Sequence, residues 1–154
     1  MTYDATALGD DLRGHRLLQL GMLLFLAGLL TGFVIPALAN PRMGLASHLE
    51  GVINGMLLVL LGLLWPRLRL APTARSATFV LALIGTAANW GTTLLAAAWD
   101  AGGSMMSIAA PGRLGAEWQE TVIAALLVVV SVAIVAAVAL VIHGLRPPEK
   151  NNRG

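Results

Sequence analysis

His48, Glu50 and Asn54 fall within one seven-residue stretch at the start of a segment that is otherwise almost wholly apolar. A charge at the centre of a helix in hydrocarbon costs about 2.5–3.5 kcal/mol on insertion scales, so such side chains are usually directed at a ligand, a cofactor or each other. The chemistry open to an imidazole there is limited. Neutral, it is a good ligand for haem iron; near neutral pH it can also act as a general acid or base. Structural zinc fits poorly, because zinc wants several His or Cys ligands together, and the chain has no cysteine. That absence also removes disulfides and thiol nucleophiles. The single tyrosine, Tyr3, lies outside the apolar segments, so no phenol is available inside them.

The elements that must position these groups follow from composition. The chain has 154 residues, of which 57% are hydrophobic and 12% charged, with a mean hydropathy of +0.79. Soluble domains rarely exceed about half apolar. Long apolar runs cover about residues 17–38, 47–65, 77–99 and 121–145, each near the roughly 20 residues an α-helix needs to cross a bilayer. The expected fold is therefore all-α: one integral membrane domain over residues 1–154, a four-helix bundle with a loose polar tail at 147–154. Asn40-Pro41, Pro66-Arg67, Gly102-Gly103 and Pro147-Pro148 read as breaks between spans. Trp65, Trp99 and Trp118 read as interfacial anchors. Ala37-Leu38-Ala39 looks like a signal cleavage site, but the length of the first span and the preceding Asp4, Asp10 and Asp11 favour a retained helix.

Arg13, Arg16, Arg67, Arg69, Arg75, Arg146, Lys150 and Arg153 fall on one side of such a topology, with Arg42 and Arg113 on the other. Short basic loops stay inside, which predicts both termini cytoplasmic and the loop between Asp100 and Glu120 outside. No phosphate loop, nucleic-acid module or long internal repeat is visible, so no nucleic-acid partner is expected.

This topology brings polar groups from three spans to one depth. His48, Glu50 and Asn54 lie in the outer half of span two; Asn89, Trp90, Thr92 and Thr93 lie in the outer half of span three; Gln119 and Glu120 open span four. At about 100° per residue, Glu50 and Asn54 share a face while His48 and Gly55 lie nearly opposite, with Gly51 closer to His48. Gly51-x-x-x-Gly55 permits close helix approach or a flat ligand alongside. Plainer roles exist for each group. Asn54 and Asn89 can be packing glue, about 0.6 kcal/mol apiece, and Glu50 can reach the outer interface. His15 and His143 fit the inner interface, and Asp100, Glu117 and Arg113 fit solvated loops.

His48 six residues before Asn54-Gly55-Met56, the segment Gly62-Leu63-Leu64-Trp65-Pro66-Arg67-Leu68, Ala88-Asn89-Trp90 and Gln119-Glu120 form a pattern that resembles the hydroxylaminobenzene mutase family. The similarity runs from about Arg16 to Arg146. It implies intramolecular hydroxyl transfer, converting hydroxylaminobenzene to 2-aminophenol, a step in bacterial nitroaromatic degradation. A more distant resemblance runs to styrene oxide isomerase, a small four-span protein that forms trimers and binds haem b. There the axial histidine stands six residues before an Asn-Gly pair, as His48 stands before Asn54-Gly55, and its span-three asparagine would correspond to Asn89. The family's tyrosine four residues further on is Thr93 here, which weighs against epoxide isomerisation and leaves the haem ligand in place.

The resemblance thus implies an isomerase of the bacterial inner membrane acting on a small apolar aromatic substrate dissolved in the bilayer. His48 would ligate a haem b seated along Gly51 and Gly55; Asn54 and Asn89 would orient the hydroxylamine. Glu50 or Glu120 would shuttle a proton, and Trp90, beside Thr93, would stack on the aryl ring. A homo-oligomer, by the distant relative a trimer, is implied too. The rival readings are an epoxide isomerase, a non-enzymatic haem-binding membrane protein and a plain structural subunit.

Overall fold

The computed structural model describes residues 5–147; Tyr3, Asp4, Lys150, Arg153 and nearly all of the expected tail lie outside them. The helices α1 (Ala5–Val34), α2 (Pro41–Leu64), α3 (Pro72–Trp99) and α4 (Glu117–Gly144) account for the structure, with short 3-10 turns at Ile35–Ala37 and Trp65–Arg67. No strand occurs among the described residues. All four helices are long and apolar enough to cross a membrane. Their outward faces carry large hydrophobic side chains, Phe33 at 83% exposure and Val135 at 69% among them.

The helices begin before the apolar runs do. Asn40-Pro41, expected as a break, is the start of α2: the Asn40 side chain accepts from the Met43 backbone N–H at 3.1 Å, and Pro41 occupies the first turn, where its missing N–H is not needed. Pro72 opens α3 in the same way. Hydropathy marks where a helix is apolar, whereas caps and prolines mark where it starts.

Consecutive helices pack together, α1 on α2, α2 on α3 and α3 on α4, and α1 also touches α3. No extended contact joins α4 to α1 or α2. The expected bundle is therefore open along one side. Glycine sets the tightest seam: a Cβ at Gly28 of α1 would lie 2.5 Å from the Val52 backbone N of α2, and one at Gly55 would lie 2.5 Å from the Phe25 backbone N. Backbones in such contact gain dispersion energy that bulkier residues would forbid.

Two apolar clusters anchor the row. At the end opposite the 100–116 loop, Leu17, Leu58, Leu61 and Val141 form one buried cluster with Trp65. Trp65 is only 1% exposed, stacks edge-on to Phe79 at 6.0 Å and lies under the Arg75 guanidinium. Contrary to expectation it is a core residue, because the 3-10 turn at Trp65–Arg67 folds the indole back under α1. Trp99 and Trp118 do sit at the loop end, paired edge-to-face at 5.0 Å. There Met43, Ala96, Ala97 and Ile123 close on Ala101 and Ala110 from the 100–116 loop.

Candidate functional site

The site is built on α2, which presents two different faces. On the α1 side, the His48 ring lies over Gly32, and its Nδ1 is 2.8 Å from the Gly28 carbonyl oxygen. A carbonyl only accepts, so Nδ1 carries a proton, and in the neutral imidazole the lone pair is then on Nε2. Among the described residues Nε2 has no hydrogen-bond partner. On the same seam, an apolar groove of about 280 Å³ runs between Met22 and Phe25 of α1 and Met56, Val59 and Leu60 of α2.

On the α3 side, the Asn89 side chain stands beside the Glu50 carboxylate. The Glu50 Oε2, the Asn54 Nδ2 and the Thr92 Oγ1 are buried without partners. Asn54 is only 6% exposed. Unpartnered buried polar atoms are uncommon because each forfeits about 1–3 kcal/mol of hydration. The surrounding polar groups are, by contrast, committed. Ser47 donates to the Trp90 carbonyl at 3.1 Å, the Trp90 indole N–H donates to Thr31 Oγ1 at 3.1 Å, and Thr93 Oγ1 lies 3.0 Å from the carbonyl oxygens of Asn89 and Trp90. These bonds knit α1, α2 and α3 together and fix the height at which Asn89 meets Glu50.

The structure therefore separates the residues singled out from the sequence. Glu50 and Asn89 meet, and Asn54 lies one turn along α2 from Glu50. His48 occupies the other seam, as helical phase predicts. Gly51 and Gly55 do not offer an open groove: a Cβ at Gly51 would stand 2.5 Å from Gly28 Cα and 2.8 Å from Trp90 Cδ1, so α1 fills the space a flat ligand would need. Trp90 is wedged among three helices, and the Thr93 hydroxyl is spent on backbone carbonyls.

Glu120 belongs to the loop. Its Oε1 accepts from the backbone N–H groups of Gly102 at 2.6 Å and Gly115 at 2.9 Å; its Oε2 accepts from Ser104 N at 3.1 Å and Ser104 Oγ at 2.6 Å. Asp100 and Arg113, expected as solvated charges, pair at 2.8 Å, and Arg113 also donates to the Ala39 carbonyl at 3.2 Å. His15 and His143 are exposed, His143 in the last turn of α4. Sequence reasoning misses Thr31, Gly28 and Gly32. A signal for the glycines exists as Gly28-x-x-x-Gly32 in span one, but nothing in the pattern says which helix it will meet.

Among the described residues no group of three or more His, Asp or Glu could enclose a bare metal ion. A group that brings its own equatorial donors needs one protein ligand, and a histidine with Nδ1 bonded to a carbonyl and Nε2 free matches that need.

Comparison of the amino-acid sequence with known proteins places the chain in a family. A family model described as styrene oxide isomerase covers residues 13–146. The chain belongs to that family. Within the curated proteins it is 56% identical over 139 residues to hydroxylaminobenzene mutase HabB of Ectopseudomonas oleovorans, covering 90% of this chain and 85% of the relative. It is 44% identical over 125 residues to hydroxylaminobenzene mutase HabA of the same organism, covering 81% of this chain and 93% of that relative. No solved structure matches. This styrene oxide isomerase family member is an isomerase of the mutase kind, as its motifs predict.

Proposed function

We propose that the protein is a mutase embedded in the bacterial inner membrane with both termini cytoplasmic, converting aryl hydroxylamines such as hydroxylaminobenzene to 2-aminophenols. The observation that carries the reading is the polar set at the α2–α3 contact. Glu50 Oε2 and Asn54 Nδ2, one helical turn apart, are buried without partners, Glu50 beside Asn89, in a chain 56% identical to a hydroxylaminobenzene mutase. The exposed apolar helix faces support the membrane setting.

The reaction is redox-neutral: the N–O bond breaks, a C–O bond forms at the ortho carbon, the ortho proton leaves and the nitrogen gains one. The carboxamides of Asn54 and Asn89 bind and orient the N–OH group by donating to its oxygen and accepting from its N–H. Glu50 takes the ortho proton on its unpartnered oxygen and returns it to nitrogen. The apolar wall excludes water, which would otherwise trap the electron-poor ring. His48 is the residue to hold a haem b, through Nε2; when bound, ferric haem supplies a Lewis acid for the departing oxygen. His48 and the Glu50–Asn54 pair point away from each other on α2, which supports a homo-oligomer in which groups from two copies reach one substrate.

The test is the absorption spectrum of detergent-purified wild type and His48→Ala, each then given hydroxylaminobenzene with 2-aminophenol monitored. Loss of the Soret band together with at least a thousandfold loss of turnover supports the full reading. Turnover without a Soret band removes iron and leaves the mutase, and no turnover in wild type sinks the mutase. The family model favours a second reading, epoxide isomerisation. Against it, the Thr93 hydroxyl, where that chemistry's tyrosine would stand, is 1% exposed and bonded to backbone. Phenylacetaldehyde formed from styrene oxide would establish it.

A further inference from the structure

We propose that Gly28 and Gly32 of α1 are positioning residues that hold the His48 imidazole in its Nδ1–H tautomer, with Nε2 directed away from α1. The inference rests on the reading above only for what Nε2 is used for; the seat itself is a property of the α1–α2 seam.

A helix carbonyl already accepts from the N–H four residues on, so the Gly28 oxygen takes the His48 Nδ1–H as a second bond, using its second lone pair. Lateral access to such an oxygen is normally obstructed. Side chains on a helix tilt towards its N-terminus, and the residue four positions on leans over that carbonyl. Here that residue is Gly32. A Cβ on it would lie 3.0 Å from His48 Nδ1 and 3.2 Å from Cε1, so the ring would be pushed off the carbonyl by a few tenths of an ångström. Larger side chains would occupy the ring's place. Gly28 contributes by letting α2 approach: its missing Cβ is what allows Val52 N to come so near. The two glycines thus divide the task, Gly28 setting the distance between helices and Gly32 clearing the path to the carbonyl.

The arrangement fixes more than position. A neutral imidazole has one N–H, and committing it to the Gly28 oxygen leaves the Nε2 lone pair as the only ligating atom. The same bond fixes the ring's orientation, as outer hydrogen bonds do for ligating histidines. Gly32 would then tune any iron held by His48 without touching it.

The experiment uses the full chain in detergent micelles, ¹⁵N-labelled at histidine, with His15→Gln and His143→Gln leaving one signal set, at pH ~8 where an ordinary imidazole is neutral. Ring nitrogen shifts identify the tautomer. Wild type is expected to show Nδ1–H, Gly32→Ala a shifted but same-tautomer signal, and Gly32→Val a mixture or the Nε2–H form. Gly91→Ala is the control, since a Cβ there meets nothing within 4 Å; its signal should match wild type. In haem-loaded protein, Gly32→Ala should change the ferric electron paramagnetic resonance g-spread and lower the ferrous iron–histidine stretching frequency. Gly32→Val should retain haem at least tenfold less well. An Nε2–H tautomer in wild type, or identical ring signals in wild type and both Gly32 variants, overturns the seat. The expected tautomers in a protein that never takes up haem would uphold the seat and sink the haem reading instead. Should Gly32→Val fail to fold, the Gly32→Ala ring shift decides alone.

Discussion

Glu50 and Glu120 are the same side chain in opposite circumstances. Glu120 stands at the loop end with four donors, from Gly102, Gly115 and both the backbone and hydroxyl of Ser104. Glu50 is half-buried between helices, with the Asn89 side chain beside its carboxylate and its Oε2 buried without a partner. A carboxylate whose acceptor sites are filled by its own chain is architecture: it orders residues 102–115 and has nothing left to offer a substrate. A carboxylate held partly unsatisfied in an apolar setting is costly to the fold, and that cost makes sense where a ligand completes the set. Satisfaction, more than residue type or depth, separates the two roles.

Substitutions can break this contrast. The largest effect is expected from Glu50→Gln, which should lower the turnover number for hydroxylaminobenzene by about 10²-fold, in the range typical of a lost acid–base group, while thermal unfolding in detergent stays unchanged. Wild-type turnover in that variant would return Glu50 to packing. Glu120→Ala should do the reverse. Stranding the Gly102 and Gly115 N–H groups should destabilise the protein by about 2 kcal/mol, with solvent moderating the loss. The readout is the unfolding midpoint together with amide exchange across residues 102–115. If turnover falls much more than stability, the carboxylate has a chemical role and the contrast fails.

Two smaller effects sharpen it. Asn54→Leu removes a buried amide that has an unpartnered nitrogen, so stability should hold or rise by up to about 1 kcal/mol while turnover falls about tenfold. A stability loss instead would show that the amide serves the fold. Arg113→Ala breaks an exposed pair with Asp100 and should change stability by no more than about 0.5 kcal/mol, with turnover as in wild type. A marked loss of turnover would make the Arg113 bond to Ala39 part of the site.

Much of this molecule is legible in its amino acids. The four helices, their order and the shared depth of His48, Glu50, Asn54 and Asn89 follow from hydropathy and alternation of direction alone. Helical phase separates His48 from Glu50 and Asn54. Trp65 defeats such reasoning because an aromatic beside a proline looks the same whether its turn faces outward or folds inward. Glu120 defeats it because its donors are mostly backbone N–H groups, which carry no sequence signature. Thr31 is inconspicuous because a threonine on an apolar helix is commonplace until an indole arrives from 59 residues away.

The number of helices, their family and the polar residues set into them depend on local composition and short motifs, and the amino-acid sequence is enough to specify them. Which of those residues remain unsatisfied is settled by tertiary packing. That depends on partners brought from distant parts of the chain: Gly28 to His48, Asn89 to Glu50 and the 100–116 loop to Glu120. Packing also fills the Gly51–Gly55 face with α1 while α4 leaves the row open, because close packing is a property of paired surfaces and neither partner's sequence contains the other's shape.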